Sequence, residues 1–344
     1  MTDRKYAEYA WEQTEKLLNT DSPTGYTSAA AEYLKNAFEG LGFKTEITVK
    51  GGVFVTLGGT GNPILLEAHT DTLGSMVAEV KPNGRLRLTP LGGMNPSNAE
   101  TENVRIITRG GKTFEGTLQL CNASIHVNSK FSETVRTWDN TEVVIDEDVK
   151  TAADTENLGV EAGDIVCFEP RVRRTASGYL KSRFLDDKLS VGILLGLAKC
   201  VCDGSLKLNR RVYIHITVYE EVGHGGSASL PCDIREALSV DMGCVGDGLK
   251  CTERQVSICA KDSGGPYSYE IVGRLIEAAK RSGADYAVDV YPHYGSDVEA
   301  TLRAGADVKH GLIGAGVYAS HGYERSHIDG VFNTLKLLCA YLGE

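Results

Sequence analysis

The chain lacks any hydrophobic run long enough to cross a membrane. Its longest apolar stretches, such as residues 193–197, fall far short of the roughly 20 residues that a transmembrane helix needs. Blocks of lysine and arginine are also missing, and 36 basic residues against 46 acidic ones leave a net charge of −10. A nucleic-acid footprint needs clustered basic side chains. We therefore expect neither a membrane nor a nucleic acid among the partners of this protein.

Paired cysteine motifs are absent as well. The nine cysteines are an odd number, form no CxxC pair and lie mostly within apolar stretches, which predicts reduced core thiols. They are Cys121, Cys167, Cys200, Cys202, Cys232, Cys244, Cys251, Cys259 and Cys339. The first 13 residues mix acidic and basic side chains without the apolar segment of a secretory signal. We expect a cytoplasmic protein.

The sequence predicts two domains. Its 344 residues are about twice the ~150 residues of a typical domain. Residues 1–74 and 173–344 alternate predicted helices with short apolar strands, a pattern typical of a mainly parallel sheet with helices on both faces. Residues 75–172 are instead rich in Gly, Thr, Asn and Val, carry turn signals and show no helical stripe. The sequence therefore predicts an α/β domain interrupted by an inserted β-rich domain.

Histidines and carboxylates recur in five short segments at or just past the predicted carboxyl ends of strands, where open α/β sheets bind their ligands. The signal is sharpest at Glu220 and Glu221, adjacent carboxylates that end a largely apolar run. Such neighbours repel each other unless cations or protons offset their charge. The segments contain His69 with Asp71, Asp186 with Asp187, Glu220 with Glu221, Asp241, and His321 with His327.

This set of side chains suits divalent metal ions. Carboxylates and imidazoles without thiolates are ligands for Zn²⁺, Co²⁺ or Mn²⁺. Two such ions about 3.5 to 4 Å apart can share a bridging carboxylate and an activated water. Each segment alone also fits a structural role: Asp186 and Asp187 as a helix cap, the two glutamates as a solvated face, and His215 as a core or surface histidine.

Together the segments resemble a known family. The stretches EAHTDTLG, SRFLDDKLSVG, TVYEEVGHGGS and SVDMG, with LGGMNP in the insertion and GSDVEATLRAG near the end, are similar in order and context to the tetrahedral and glutamyl aminopeptidases, a family of dinuclear metallopeptidases. That family has an α/β peptidase domain with an inserted, barrel-like β domain. The resemblance implies an aminopeptidase that removes N-terminal residues from peptides through a hydroxide held by two divalent metal ions, with zinc expected before cobalt or manganese.

The same resemblance implies roles for single residues. The implied metal ligands are His69, Asp186, Glu221, Asp241 and His321, with Asp186 bridging the two ions. Glu220 is implied as the general base, and Asp71 as the residue that orients His69.

The segment of the last ligand departs from the family pattern, because the family usually has His-Ser-Pro-x-Glu where this chain has AlaSerHisGlyTyrGlu at residues 319–324. The spacing to the final helix favours His321 over His327. His293 and His310 are the next candidates.

The resemblance further implies peptide substrates and a homo-oligomer, including large hollow assemblies, with subunit contacts through the inserted domain. A dinuclear deacylase or carboxypeptidase-like amidohydrolase is the nearest alternative. A glycosidase using Glu220 and Glu221 is disfavoured, because its two carboxylates must flank a sugar bond about 5 Å or more apart. A metal-binding scaffold on a peptidase fold is the non-enzyme alternative, and the presence of the base Glu220 argues against it.

Overall fold

The computed structural model describes residues 2–228, 230–231 and 233–343. Within them the chain forms eight α-helices and eighteen strands. The helices are α1 (Lys5–Leu18), α2 (Ser28–Gly40), α3 (Pro96–Ala99), α4 (Ala152–Leu158), α5 (Leu185–Cys202), α6 (Tyr269–Ser282), α7 (Asp297–Arg303) and α8 (Ile328–Leu342). The strands are β1 (Lys44–Ile47), β2 (Val53–Gly58), β3 (Ile64–His69), β4 (Gly74–Val80), β5 (Leu86–Leu91), β6 (Asn103–Ile107), β7 (Thr113–Leu120), β8 (Thr141–Ile145), β9 (Ile165–Phe168), β10 (Arg173–Arg174), β11 (Tyr179–Ser182), β12 (Val212–Thr217), β13 (Glu236–Val240), β14 (Gly243–Val245), β15 (Val256–Lys261), β16 (Tyr286–Val290), β17 (Lys309–Tyr318) and β18 (Glu324–His327).

The chain divides into two compact units, one made of residues 1–71 and 171–344 and the other of residues 72–170. The first is a sheet with packed helices and the second is a closed barrel of six strands. This arrangement confirms the predicted fold class, an α/β fold with an inserted β-barrel.

The sheet of the first unit is parallel at its centre and antiparallel at its flanks. β12, β3, β13 and β17 run parallel to one another in that order. β1 and β2 lie antiparallel on one side, and β18, β11 and β10 on the other. All six residues of β3 are buried, as expected for a strand between two parallel neighbours. His69 therefore sits at the carboxyl end of the central strand.

Helix α5 is buried along most of its length and begins directly at the Asp186–Asp187 segment. It approaches α1 closely because Gly192 faces that helix: a Cβ there would lie 2.1 Å from Thr14 Oγ1. At its start the buried Lys188 ammonium donates to the carbonyl oxygens of Leu17 (2.9 Å) and Thr20 (2.7 Å), at the end of α1. Cations stabilise helix C-termini in this way. These contacts fix the end of α5 that carries the two aspartates.

The barrel closes in the order β4, β5, β8, β7, β6, β9. Its core consists of alternate apolar residues of these strands, including Val77, Leu88, Ile106, Val143 and Val166, all buried. Two short helices, α3 and α4, also lie in this segment. Helix α4 buries only Thr155, so it has no apolar stripe, and its sequence signal is the capping box of Thr151 and Asp154.

The described cysteines are free thiols. Cys167, Cys200, Cys251 and Cys259 are buried, whereas Cys202 is exposed, so the prediction of a core position is wrong for Cys202. The prediction for Cys232 lies outside the described residues. Among the residues that the structure covers, no helix combines the length and apolar character needed to span a bilayer.

Candidate metal centre

His69 and Asp71 lie side by side at the carboxyl end of β3, and both are buried. His69 Nδ1 lies 2.9 Å from the backbone carbonyl oxygen of Asp71. A carbonyl oxygen only accepts hydrogen bonds, so Nδ1 is the donor in this contact, and Nε2 is the ring nitrogen left to face the cluster. His69 Nε2 lies 3.2 Å from Asp186 Oδ1, which places the basic nitrogen in the carboxylate cluster.

The Asp71 carboxylate holds the turn that carries the two glutamates. Glu220–Val222 form one turn of 3-10 helix after β12. The backbone N–H groups of Glu220 and Glu221 donate to Asp71 Oδ1 (3.2 Å) and Oδ2 (3.4 Å), and the Thr24 hydroxyl donates to Oδ2 (2.7 Å). The carboxylate lies farther from His69 Nδ1, at 3.6 Å, than the Asp71 carbonyl does. Asp71 therefore contacts His69 mainly through its backbone and fixes the glutamate turn through its side chain.

Asp186 and Asp187 are buried at the start of α5, where the backbone is not yet helical. The two oxygens of Asp186 face different imidazoles, since Oδ1 lies 3.2 Å from His69 Nε2 and Oδ2 lies 3.6 Å from His321 Nε2. Asp187 Oδ2 accepts the backbone N–H of His69 at 3.3 Å, and Asp187 Oδ1 has no hydrogen-bond partner. A buried carboxylate oxygen without a donor is suited to a cation.

The ligand atoms form two overlapping groups, each within 4.8 Å: His69, Asp187 and Asp241 in one, and His69, Asp186 and Glu221 in the other. Glu221 Oε1 is also buried without a hydrogen-bond partner. Asp187 is not among the ligands expected from the sequence, although its position directly after Asp186 in the same segment is a usable signal. The structure thus brings His69, Asp186, Glu221 and Asp241 together and adds Asp187.

The structure brings His321, and not His327, to this cluster. His321 Nε2 lies 3.8 Å from Glu221 Oε2, in addition to its contact with Asp186. His327 instead caps α8: its Nδ1 accepts the backbone N–H of Asp329 at 3.0 Å, and its Nε2 lies 2.9 Å from the Ser177 carbonyl oxygen.

The two remaining candidates for the last metal ligand have other contacts. His293 is exposed, and the His310 ring packs on Tyr267 with centroids 5.1 Å apart. His215 is a core histidine, 2% exposed.

The carboxylates of this cluster need nearby positive charge in order to be ionised. Burial raises the pKa of Glu220 and of Glu221 well above the usual carboxyl range, and raises the pKa of Asp241 to about 7. Burial opposes ionisation of Asp186 too, but contacts with His321 and His69 outweigh it and lower the pKa of Asp186. Protonated imidazoles and neutral carboxyls are the substitutes that such a cluster adopts where cations are missing. The donor set, the burial and the two unpartnered oxygens all fit divalent metal ions.

A family model described as M42 glutamyl aminopeptidase matches residues 51–337. This chain belongs to the M42 family. Membership confirms the resemblance drawn from the sequence and makes the protein a peptidase of the aminopeptidase type. The YhfE protein of Bacillus subtilis (strain 168) is 40% identical to this M42 peptidase over 333 residues, 96% of each chain.

Two solved structures share the fold of this M42 peptidase. The aminopeptidase APDkam598 from the archaeon Desulfurococcus kamchatkensis matches with a TM-score of 0.88 at 21% identity, covering 98% of this chain and 96% of that one. The TET1 peptidase of Pyrococcus horikoshii, which can assemble into a tetrahedron or a large octahedral shell, matches with a TM-score of 0.84 at 22% identity, covering 97% and 99%.

Proposed function

We propose that this M42 peptidase is a two-metal aminopeptidase that removes N-terminal residues from peptides. The observation that carries the proposal is the pair of overlapping ligand groups that share His69. When bound, two divalent ions, zinc before cobalt or manganese, supply Lewis-acid polarisation of the scissile carbonyl and activation of the attacking water. The residues that would hold them are His69, Asp186, Glu221, Asp241 and His321, with Asp187 as an additional candidate.

Glu220 is the residue proposed to move the proton. Its Oε2 lies 3.8 Å from His69 Nε2, at the edge of the ligand groups, and its backbone is fixed by Asp71. Burial raises the pKa of Glu220, which suits a group that takes a proton from water and delivers it to the leaving amine.

The charge balance of the site favours a substrate with a free α-amine. When ionised, the carboxylates of Asp186, Asp187, Glu220, Glu221 and Asp241 carry −5 against +4 from two divalent ions, which leaves −1 for these five groups. A protonated α-amine offsets this surplus and places the first peptide bond in register with the ions.

Paired substrates test the proposal. We expect the zinc-loaded enzyme to cleave free aminoacyl anilides and to leave their N-acetylated forms intact, because acetylation removes the ammonium charge. Equal turnover of both forms would instead identify a dinuclear deacylase or an endopeptidase. A panel of aminoacyl groups, assayed with zinc, cobalt and manganese in turn, would define the residue preference and the best metal.

We further propose that the protein is a homo-oligomer that uses the inserted domain for subunit contacts. The assemblies named for the TET1 peptidase of Pyrococcus horikoshii support this proposal. Light scattering on the purified protein tests it: a mass of 37.1 kDa, that of one chain, would contradict it.

A further inference from the structure

Lys50 contacts the loop that follows the two glutamates of the metal centre. It lies half-buried in the turn between β1 and β2. Its ammonium donates to the backbone carbonyl oxygens of His224, Gly225 (3.3 Å) and Ser227 (3.1 Å). An ammonium has three N–H groups, so these three carbonyl oxygens can accept all of them. Lys50 therefore joins the β1–β2 turn to residues 224–227.

The same loop closes the turn that carries Glu220 and Glu221. The backbone N–H of His224 donates to the carbonyl oxygen of Tyr219 at 3.1 Å, and the two rings stack with centroids 5.0 Å apart. The Lys50 ammonium lies 6.0 Å from the centre of the Tyr219 ring, within the range of a cation–π contact. Lys50 thus contacts both the residue directly before Glu220 and the peptide that hydrogen-bonds back to it.

On its other side the loop packs against α7. A Cβ on Gly225 would lie 2.3 Å from Asp297 Oδ1, so the backbone of the loop lies directly against the start of that helix. The Ser227 hydroxyl donates to the Ala300 carbonyl oxygen at 3.2 Å. The loop is therefore held between α7 on one side and the Lys50 ammonium on the other.

Glu220 depends on these contacts more than Glu221 does. In the proposed site Glu221 is a ligand, so its ion also holds it in place, whereas Glu220 is not a ligand and is placed by its backbone. The Asp71 carboxylate accepts the N–H of Glu220 at 3.2 Å and so fixes the start of the turn. The contacts of Lys50 fix the segment in which the turn ends. A displacement of about 1 Å can cost about 10²-fold in rate.

From this geometry we infer that Lys50 is a positioning residue that holds the Glu220 carboxylate where it transfers the proton. The inference rests on the proposed role of Glu220 as general base and adds a residue outside the ligand groups on which that role depends. Loss of the ammonium is therefore expected to slow the reaction without removing an ion.

Two lysine variants test the inference. Lys50→Met removes the ammonium and keeps a side chain of similar length. Lys336→Met is the matched control, because the Lys336 ammonium also donates to a backbone carbonyl oxygen, that of Gly283, and lies 5.5 Å from the centre of the Phe332 ring. Both variants and the wild type are loaded with zinc. Their metal content, melting temperature, kcat and KM for a free aminoacyl anilide are then compared.

We expect Lys50→Met to keep both ions, the wild-type KM and a melting temperature well above that of the assay, but to lose about 10-fold or more in kcat. A loss in kcat at constant KM indicates an interaction that acts in the transition state and not in substrate binding. Lys336→Met should behave as wild type does in all four measurements.

A double variant shows whether Lys50 acts through Glu220. In the Glu220→Gln background, Lys50→Met should lower kcat by no more than about twofold, because the group that it positions is already lost. The inference would be overturned by a further loss of about 10-fold in that background, by wild-type kcat in Lys50→Met alone, by an ion lost from Lys50→Met, or by an equal loss in Lys336→Met. Wild-type kcat in Glu220→Gln alone would instead refute the proposed role of Glu220, and the inference with it.

Discussion

The buried carboxylate of Glu324 accepts the backbone N–H of His321 at 3.0 Å. Its other oxygen accepts the backbone N–H of Asp186 at 3.2 Å, so one side chain ties the His321 loop to the start of α5. His321 has a φ of 61°, in the left-handed region that non-glycine residues seldom adopt. Glu324 therefore holds the backbone of His321 and stabilises the loop conformation that brings the imidazole to Asp186.

Glu324→Gln should weaken metal binding. The amide replaces one acceptor oxygen by an NH₂ group, so the N–H of either His321 or Asp186 loses its acceptor. We expect metal affinity to fall by about 10-fold, as for other lost contacts behind metal ligands. Isothermal titration of the metal-free protein measures this. Glu253→Gln, which removes the charge from the partner of Arg325 (3.1 Å), should bind metal as wild type does. Equal metal affinities for Glu324→Gln and wild type would show that metal binding does not depend on the two hydrogen bonds of Glu324.

The two C-terminal histidines should behave differently. His321→Ala removes the imidazole that faces Asp186 and Glu221, and we expect a loss of about 10-fold or more in affinity for one ion. His327→Ala should keep two ions bound but lower the free energy of unfolding by about 1 kcal/mol, the usual value of an N-cap. Metal analysis and denaturant unfolding of both variants check this, and the reverse pattern would make His327 the ligand.

Glu220→Gln and Glu221→Gln should separate proton transfer from metal binding. For Glu220→Gln we expect kcat to fall by about 10² to 10⁴, the contribution of general acid–base groups, with metal content unchanged. For Glu221→Gln we expect the loss of one ion. Steady-state kinetics together with elemental analysis distinguish the two. An ion lost from Glu220→Gln would mean that the roles of the two glutamates are exchanged.

Glu236, which is not among the proposed metal ligands, should make the free energy of unfolding depend on pH. Burial opposes its ionisation, but contacts with Arg210 (2.9 Å), Tyr341 (2.7 Å) and Arg274 (2.6 Å) outweigh burial and lower the pKa of Glu236. A carboxyl with a lowered pKa in the folded state stabilises the fold above its unfolded pKa of about 4.3, and this stabilisation is lost as the pH falls through the lower, folded value.

We therefore expect Glu236→Gln to lower the free energy of unfolding by about 1.5 to 3 kcal/mol at pH 7, the usual range for hydrogen bonds to a charged group. The difference from wild type should shrink as the pH falls below about 4.3. Urea unfolding of the metal-free proteins across this range measures it. A difference that stays constant with pH would rule out the ionised carboxylate as its source.

Part of the site could be predicted from the sequence because its residues end strongly apolar strands. The continuous apolar run of β3 places His69, and the end of β12 places Glu220 and Glu221. Glu324 gave no such signal, since its contact with the backbone of Asp186 joins segments far apart in the chain.

Strand β17 shows a second reason why prediction failed. The sequence predicts a strand only at residues 311–313, whereas the strand spans Lys309–Tyr318. It contains glycines, which have low strand propensity, because neighbouring backbone lies too close for a side chain. A Cβ on Gly314 would lie 1.5 Å from the Asp241 carbonyl oxygen. The close backbone contact at Gly314 requires a residue of low strand propensity, so propensity does not predict this part of β17. The same contact fixes the backbone of Asp241.

Metal dependence is the most direct test of the two-metal proposal. The protein is stripped with a chelator, its residual metal is measured, and hydrolysis of a free aminoacyl anilide is followed as zinc is added back in steps. The proposal has the attacking water activated at neutral pH by the metal ions, so we expect no hydrolysis in the metal-free protein. Full activity should return once two zinc ions are bound to each chain. Undiminished hydrolysis by protein shown to be free of metal would contradict the proposal.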